Sequence, residues 1–213
     1  MIPNCRLYGK KRKVMMNDKK DLRTIKTKRA IDAAFTKLIR EKGFEAMTIK
    51  DIAEEALINR GTFYKHYLDK YDLLESYENT LLQGLAEILT RNIEDEQPLG
   101  IGMPKKIATE TFRYVDDNAD KIITLFNNHG GNQFEYKVRT YMFDYYQTHS
   151  HQLIDESRLR VDREYLIAYI TNAHVGLIRT WLENGRRESS EVLADVLETL
   201  TVKGPFYAAG LID

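Results

Sequence analysis

Apolar residues recur at intervals of three and four along most of the chain and never alternate over a strand-length run, so the pattern predicts an all-α protein. Ile31, Ala34, Phe35, Leu38 and Ile39 mark a first amphipathic helix over about 22–42, stopped by Gly43, with Phe44 and Met47 packing behind it. Ile49, Ile52, Ala53 and Ala56 mark a short second helix, which Thr48 and Asp51 open in the spacing of a capping box. Asn59 is placed as N-cap of a third, in which Phe63 and Tyr67 share the inward face. A helix this short has no stability of its own and must be held by its neighbours. Asp69 then caps a fourth helix, striped by Leu73, Leu74, Tyr77, Leu81, Leu85, Ile88 and Leu89 and running to about 93.

Beyond a loop over 94–104 with two prolines and two glycines, five further helices are expected, about nine in all. The fifth carries Ile107, Thr111, Tyr114 and Val115, and the sixth Ile122, Ile123, Leu125 and Phe126. The seventh carries Phe134, Val138, Tyr141, Met142 and Tyr145. The eighth, over 165–184, is apolar on most sides and so must be covered on more than one face; a ninth over 192–200 ends at Lys203-Gly204-Pro205. The expected organisation is a basic segment over 1–20, a three-helix helix-turn-helix domain over 21–68, a connecting helix over 69–93 and a regulatory and dimerisation domain over 94–213.

Charge sharpens that division. The net charge is zero, yet residues 1–70 hold 18 Lys/Arg against 9 Asp/Glu, while the remainder holds 14 against 23. A basic front and an acidic rear fit a polyanion-binding domain joined to one with another task. No apolar run is long enough for a membrane span or a secretory signal, so a cytoplasmic location without membrane attachment is expected. The single Cys5 forms no internal disulfide, and no Cys/His spacing points to a metal; no cofactor is called for. Lys10-Lys11-Arg12-Lys13 admits two readings, a basic arm reaching DNA or the translation of a purine-rich ribosome-binding site ahead of a start at Met15 or Met16.

The run Thr48-Ile49-x-x-Ile52-Ala53-x-x-Ala56-x-Ile58-x-Arg60-Gly61-Thr62-Phe63-Tyr64-x-His66-Tyr67-x-x-Lys70-x-x-Leu73-Leu74 resembles the DNA-binding domain of the TetR family of bacterial transcriptional regulators. The likeness covers roughly 22–75 and includes Ala30 to Phe35 and Lys42-Gly43-Phe44. Asn59 stands where Ser or Thr is usual and Tyr67 where Phe is usual, each keeping the physical role. Tyr169 to Gly176 and Trp181-Leu182-Glu183-Asn184-Gly185 to Glu188-Ser189 resemble the C-terminal domain of a subset that includes dihydroxyacetone-kinase operon regulators. The resemblance implies a repressor that binds a palindromic operator as a homodimer and is released by an effector in the C-terminal domain. The alternative is a regulator or co-activator controlled by a protein partner.

Candidate residues follow. For double-stranded DNA they are Lys28, Thr48, Lys50, Asn59, Arg60, Gly61, Thr62, Tyr64, Lys65, His66 and Lys70, with Thr62, Tyr64 and Lys65 toward the groove and Lys70 toward phosphate. In the resemblance the Tyr and His of the run meet the backbone. For an effector they are Tyr114, Phe126, His129, Arg139, Met142, Phe143, Tyr146, Asn172, His174 and Trp181, aromatics with a few polar groups. For self-association they are Ala168, Asn172, Gly176, Thr180, Val192 and Val196, on the last two long helices that the resemblance makes a four-helix bundle. His129, His149 and His151 lie near Asp144, Asp155 and Glu156, but their spacing fits no catalytic motif, so no enzyme is expected.

Overall fold

Gly43, at φ 76° and ψ 162°, takes a backbone conformation open mainly to glycine and breaks the first helix, α1 (Asp18–Ala46), one turn before its end. In the computed structural model, which describes residues 18–94, 105–127, 132–153 and 156–212, nine more α-helices follow. They are α2 (Ile49–Glu55), α3 (Arg60–Phe63), α4 (Lys70–Glu94), α5 (Lys105–Asp117), α6 (Ala119–Asn127), α7 (Asn132–Leu153), α8 (Arg163–Glu183), α9 (Ser190–Glu198) and α10 (Pro205–Ala208). No strand occurs among the described residues. The basic run at Lys10 to Lys13 and most of the predicted 94–104 loop lie outside them.

Two boundaries differ from the sequence expectation. The third helix closes after a single turn, and residues 64–67 continue it as tight turns, with His66 N–H donating to the Phe63 carbonyl at 2.9 Å. At the C-terminus, Gly204-Pro205 begins a tenth helix as well as ending the preceding turn. Glycine takes the positive φ of 89°, and proline occupies the first helical position, where its missing N–H has no partner to lose.

One continuous cluster of buried apolar side chains runs from Ile31, Phe35, Ile52, Phe63 and Leu73 through Tyr77 and Leu81 to Phe112, Phe126, Trp181 and Leu193. It crosses the expected boundary near residue 68 without a gap, because α4 contributes to both sides. A second cluster, Leu85, Leu89, Ile107, Met142 and Val175, is ringed by Tyr114, Tyr141, Tyr145 and Tyr146.

Four side chains grip α4. Thr36 Oγ1 and Tyr77 Oη share a 2.5 Å hydrogen bond, and Lys137 Nζ meets the buried Glu78 carboxylate at 2.5 Å. Tyr114 O–H donates to the Leu81 carbonyl at 3.0 Å and Tyr145 O–H to the Leu89 carbonyl at 3.1 Å. Each carbonyl has a second lone pair to spare beyond its helical bond.

Gly84 makes the Tyr114 contact sterically feasible: a Cβ there would overlap the ring and hydroxyl of Tyr114. Ala gains about 1 kcal/mol of helix propensity over Gly, but a rigid, anchored ring must then move, a change that costs about 1–3 kcal/mol. Gly84→Ala should therefore be destabilising in urea titration, against the helix-propensity ranking; a variant more stable than the parent would show that the ring moves freely.

Candidate nucleic-acid interface and regulatory core

The short recognition element is built by capping and by ring burial. Thr48 and Asp51 form a reciprocal capping box, Thr48 N–H donating to Asp51 Oδ2 at 2.8 Å and Asp51 N–H to Thr48 Oγ1 at 3.2 Å. The Lys42 ammonium, 2.8 Å from the same carboxylate, and the Thr48 bonds hold Asp51 well below the usual carboxylate range. The turn between α2 and α3 places Leu57, almost fully exposed, at φ 54°, with Ile58 N–H reaching back to the Ala53 carbonyl at 2.9 Å. Asn59 Oδ1 then accepts from Thr62 N–H at 2.7 Å and from Thr62 Oγ1 at 3.0 Å. Gly61 lies against that cap, where a Cβ would stand 3.3 Å from Asn59 Oδ1.

Phe63 is fully buried and Tyr67 nearly so, their ring centroids 5.7 Å apart. Their burial turns Arg60, Gly61, Tyr64 and Lys65 to solvent, while Thr62 and His66 are half-buried. Lys28, from α1, stands over the Tyr67 ring at 5.9 Å. Burial, and then the charges of Lys28 and Lys65, push His66 below its usual value, so Lys28, Lys65 and His66 lie on one side of the element. Among the described residues, no carboxylate forms an ion pair with Arg60 or Lys65, while Lys28 acts on the Asp32 carboxylate one turn on and exposed Lys50 stands 3.8 Å from Glu54. Thr48 is exposed at the start of α2.

Lys70 carries a structural role of its own. Its ammonium donates to the carbonyls of Phe44 at 3.0 Å, Glu45 at 3.0 Å and Met47 at 3.2 Å, and stands over the rings of Phe44 at 4.7 Å and Tyr71 at 5.5 Å. All three ammonium donors are thus occupied by the chain ends left open where Gly43 breaks α1. Lys70 fastens the corner between α1 and α2, a role that its spacing in the sequence did not suggest.

The effector candidates divide. Tyr114, Met142 and Tyr146 gather around the second cluster, and Tyr146 Oη lies 3.0 Å from Nδ1 of His174, whose Nε2 is 3.4 Å from Thr201 Oγ1. Burial lowers the His174 value to about 4 and raises that of Tyr146, so both are neutral near pH 7. Phe126 and Trp181 belong instead to the main core. Phe126 packs on Phe134, and Trp181 meets Phe112 edge-on at 5.6 Å while donating to the Glu188 carbonyl at 3.1 Å. Asn172 is exposed, its amide closed on the Ala168 carbonyl at 2.7 Å. The candidates are thus spread over the main core, the second cluster and the surface, because spacing along a helix does not say which side meets which neighbour.

Arg139 pairs with Glu135, which also meets Arg179, each at 2.5 Å. Phe143 is half-buried on α7, and His129 lies outside the described residues. Residues that sequence reasoning passed over are Tyr145, clamped on α4, and Thr171, fully buried with a hydroxyl that, like that of Thr111, finds no partner among the described residues. A threonine inside an apolar helical stripe was the available signal.

Open grooves of about 390 and 520 Å3 lie where α1 meets α6, lined by Lys37, Arg40, Asp120 and Lys121 among others. They include none of the effector candidates. On the opposite kind of surface, Asn172, Gly176, Thr180, Val192 and Val196 are exposed and Ala168 half-buried, with Tyr165 and Tyr169 exposed beside them.

Capped short helices presenting a basic face, joined by α4 to a helical domain, define a helix-turn-helix DNA-binding regulator. Residues 30–77 match the profile of bacterial regulatory proteins of the tetR family, and residues 103–203 that of a transcriptional regulator C-terminal region, TetR_C_8. The chain belongs to the TetR family, a family of regulators and not of enzymes. It is 27% identical over 187 residues to the Bacillus subtilis (strain 168) HTH-type transcriptional regulator YxbF, an alignment spanning 86% of this chain and 47% of that one. The chain spans less than half the length of the first curated relatives it matches. Among solved structures, the dihydroxyacetone kinase operon activator DhaS shares the fold with a TM-score of 0.57 at 20% identity, over 84% of this chain and 96% of that one. A TetR transcriptional regulator from Streptococcus agalactiae 2603V does so with a TM-score of 0.61 at 21% identity, over 86% and 97%. No helix among the described residues is long and apolar enough to cross a membrane.

Lys70→Met should lower stability by about 2 kcal/mol, the scale of losing charge-assisted bonds to a partly exposed corner. The salt dependence of DNA binding should stay as it was, whereas loss of a phosphate contact would reduce that slope by about 1. Paired urea and salt titrations separate the two.

A pH effect follows from His174. Its value in the folded chain, about 4 against an ordinary 6.5, means that the unfolded chain takes up the proton first as pH falls. Its contribution is nil above the ordinary value, turns against the fold as pH drops below it, and levels off beneath the folded value. Between pH 7 and pH 5 this amounts to about 2 kcal/mol. His174→Asn should flatten the stability curve by that difference in this window, and an unchanged slope would mean that His174 is protonated within the fold.

Proposed function

We propose that the chain is a repressor that binds a palindromic operator as a homodimer and is released when an effector occupies its C-terminal domain. The observation that carries the DNA half is the unpaired cationic side of the recognition element. Arg60 and Lys65 lack ion-pair partners among the described residues, Tyr64 is exposed beside them, and Lys28 adds its charge on the His66 side. Thr62, Tyr64 and Lys65 face the major groove. Arg60 and Gly61 stand at the entry, and Lys28, Thr48, Lys50 and His66 meet phosphates. Asn59 serves chiefly by capping the turn that aims them.

One recognition turn reads too few base pairs for a unique site, so two copies act together on half-sites about 34–36 Å apart. Gly176 supports the pairing. It sits in mid-helix, where glycine costs about 1 kcal/mol relative to alanine, yet a Cβ there would meet nothing within 4 Å in the single chain. Its smallness answers no need inside the protomer and suits a second helix approaching along Ala168, Asn172, Gly176 and Thr180.

For the effector, the neutral Tyr146–His174 pair and the partnerless Thr171 and Thr111 hydroxyls offer directed polar contacts in the domain of the second apolar cluster. Such a ligand releases DNA only by binding one half-site spacing more tightly than the other.

Selection of bound duplexes from a random pool, with and without cell metabolites, tests the whole reading. An inverted repeat should emerge, and its recovery should fall in the presence of the effector. Lys65→Ala should change the recovered consensus as well as affinity, by about 1–3 kcal/mol of discrimination at the affected position. Equal loss on operator and random DNA would remove Lys65 from base reading.

A further inference from the structure

The last ten residues, Gly204-Pro205-Phe206-Tyr207-Ala208-Ala209-Gly210-Leu211-Ile212-Asp213, lie beyond the family-matched region, which ends at 203. They carry no charged side chain before Asp213, so they offer nothing to a polyanion. Their shape is nonetheless closely specified. Gly204 and Pro205 start α10, and Lys203 Nζ donates to Tyr207 Oη at 3.1 Å while standing 4.5 Å from its ring centre. At the other end Gly210, at φ 68°, donates to the Tyr207 carbonyl at 2.8 Å, and Leu211 N–H to the Phe206 carbonyl at 2.9 Å. That is a complete Schellman closure, the motif in which the residues at Phe206 and Leu211 usually form an apolar contact.

A four-residue helix begun by Gly-Pro and closed by a Schellman motif is expected to hide the hydrophobes it organises, and this one does not. Phe206 is 64% exposed, Leu211 70% and Ile212 57%. The segment also leaves the fold at a particular place. The wide turn Thr199–Lys203, closed by Gly204 N–H on the Thr199 carbonyl at 3.2 Å, touches the middle of α8 through Thr201 and His174. The neighbouring positions Asn172, Ala173 and Gly176 of α8 are exposed, as are Val192, Val196 and Val202 leading into the turn.

We infer that residues 204–212 form a capped apolar strap that docks on a second copy of this chain, laying Phe206 and Leu211 against its exposed α8–α9 surface around Tyr165, Tyr169 and Val192. The inference rests on the paired assembly proposed above and extends it past the two long helices. The choice of a second copy follows from continuity: the strap emerges beside the surface that the pairing uses, and its own residues 204–212 are apolar and uncharged.

The test compares the full chain with two variants, one ending at Lys203 and one carrying Phe206→Glu with Leu211→Glu, by sedimentation equilibrium over a dilution series. Both variants should dissociate more readily by at least about tenfold, the step that burial of a single large apolar side chain exceeds. Circular dichroism and thermal stability of the diluted monomers should stay as in the parent. A photo-crosslinking benzophenone side chain at position 206 of the full chain should yield covalent dimers. Unchanged dissociation, or crosslinks confined within one chain, would overturn the strap while leaving the pairing intact. A full chain that sediments as a monomer at micromolar concentration would overturn the pairing itself, and the strap with it.

Discussion

The DNA-reading face has no stability of its own. A helix of one turn fixes several residues for very few hydrogen bonds, so its orientation is decided by what its two rings are packed against. Phe63 and Tyr67 sit between α1 and the start of α4, beside Ile31, Phe35, Ile52 and Leu73. Everything the element presents, Tyr64 and Lys65 outward and His66 beside Lys28, is set by that burial. The caps at Thr48 and Asn59 refine the aim, and the Lys70 ammonium keeps the support itself in place by closing the break at Gly43.

The same helix that supports the rings also forms part of the second apolar cluster. Its first half contributes Leu73, Tyr77 and Leu81 to the main cluster, and its second half contributes Leu85 and Leu89 to the smaller one. Contacts from α1, α5 and α7 grip it at Tyr77, Glu78, Leu81 and Leu89. Gly84 lets Tyr114 lie close enough to bond the backbone. Since the bonds at Leu81 and Leu89 go to main-chain carbonyls, they follow the axis of α4 and not the rotamer of any one of its side chains.

Much of this was legible in the residues. Helical spacing gave the elements, and the cap residues Thr48, Asn59 and Asp69 act where their types predict, Asp69 accepting from the N–H groups of Tyr71 and Asp72. Inward rings at Phe63 and Tyr67 followed from a spacing of four. Lys70 was not legible, because its three carbonyl partners lie 23 to 26 residues upstream and exist only after Gly43 has bent the chain. Nor could spacing separate Trp181 and Phe126, in the main core, from Tyr146 and His174, beside the smaller cluster. All four are aromatic residues on apolar stripes, and only packing tells which stripe meets which. Pro205 shows the same limit in local form: after Gly204 it can stop one helix and start the next, and the sequence does not say that both occur.

These constraints bear on how a signal could travel. With one core running from Ile31 to Leu197, the reading head and the helical domain are not separate bodies joined by a hinge, so a change near Leu85 and Leu89 cannot be absorbed by a loop. Close-packed interiors respond to such a change by moving to another packed arrangement rather than by yielding gradually. The coupling available in proteins of this kind is typically about 1–3 kcal/mol. That is comparable with breaking one or two of the bonds that hold α4, so a ligand that takes the Tyr145 or Tyr114 hydroxyl for itself would have enough leverage to release the helix. The reading element would then be re-aimed, because its rings share one packed cluster with Leu73 of α4 and with Ile31, Phe35 and Ile52.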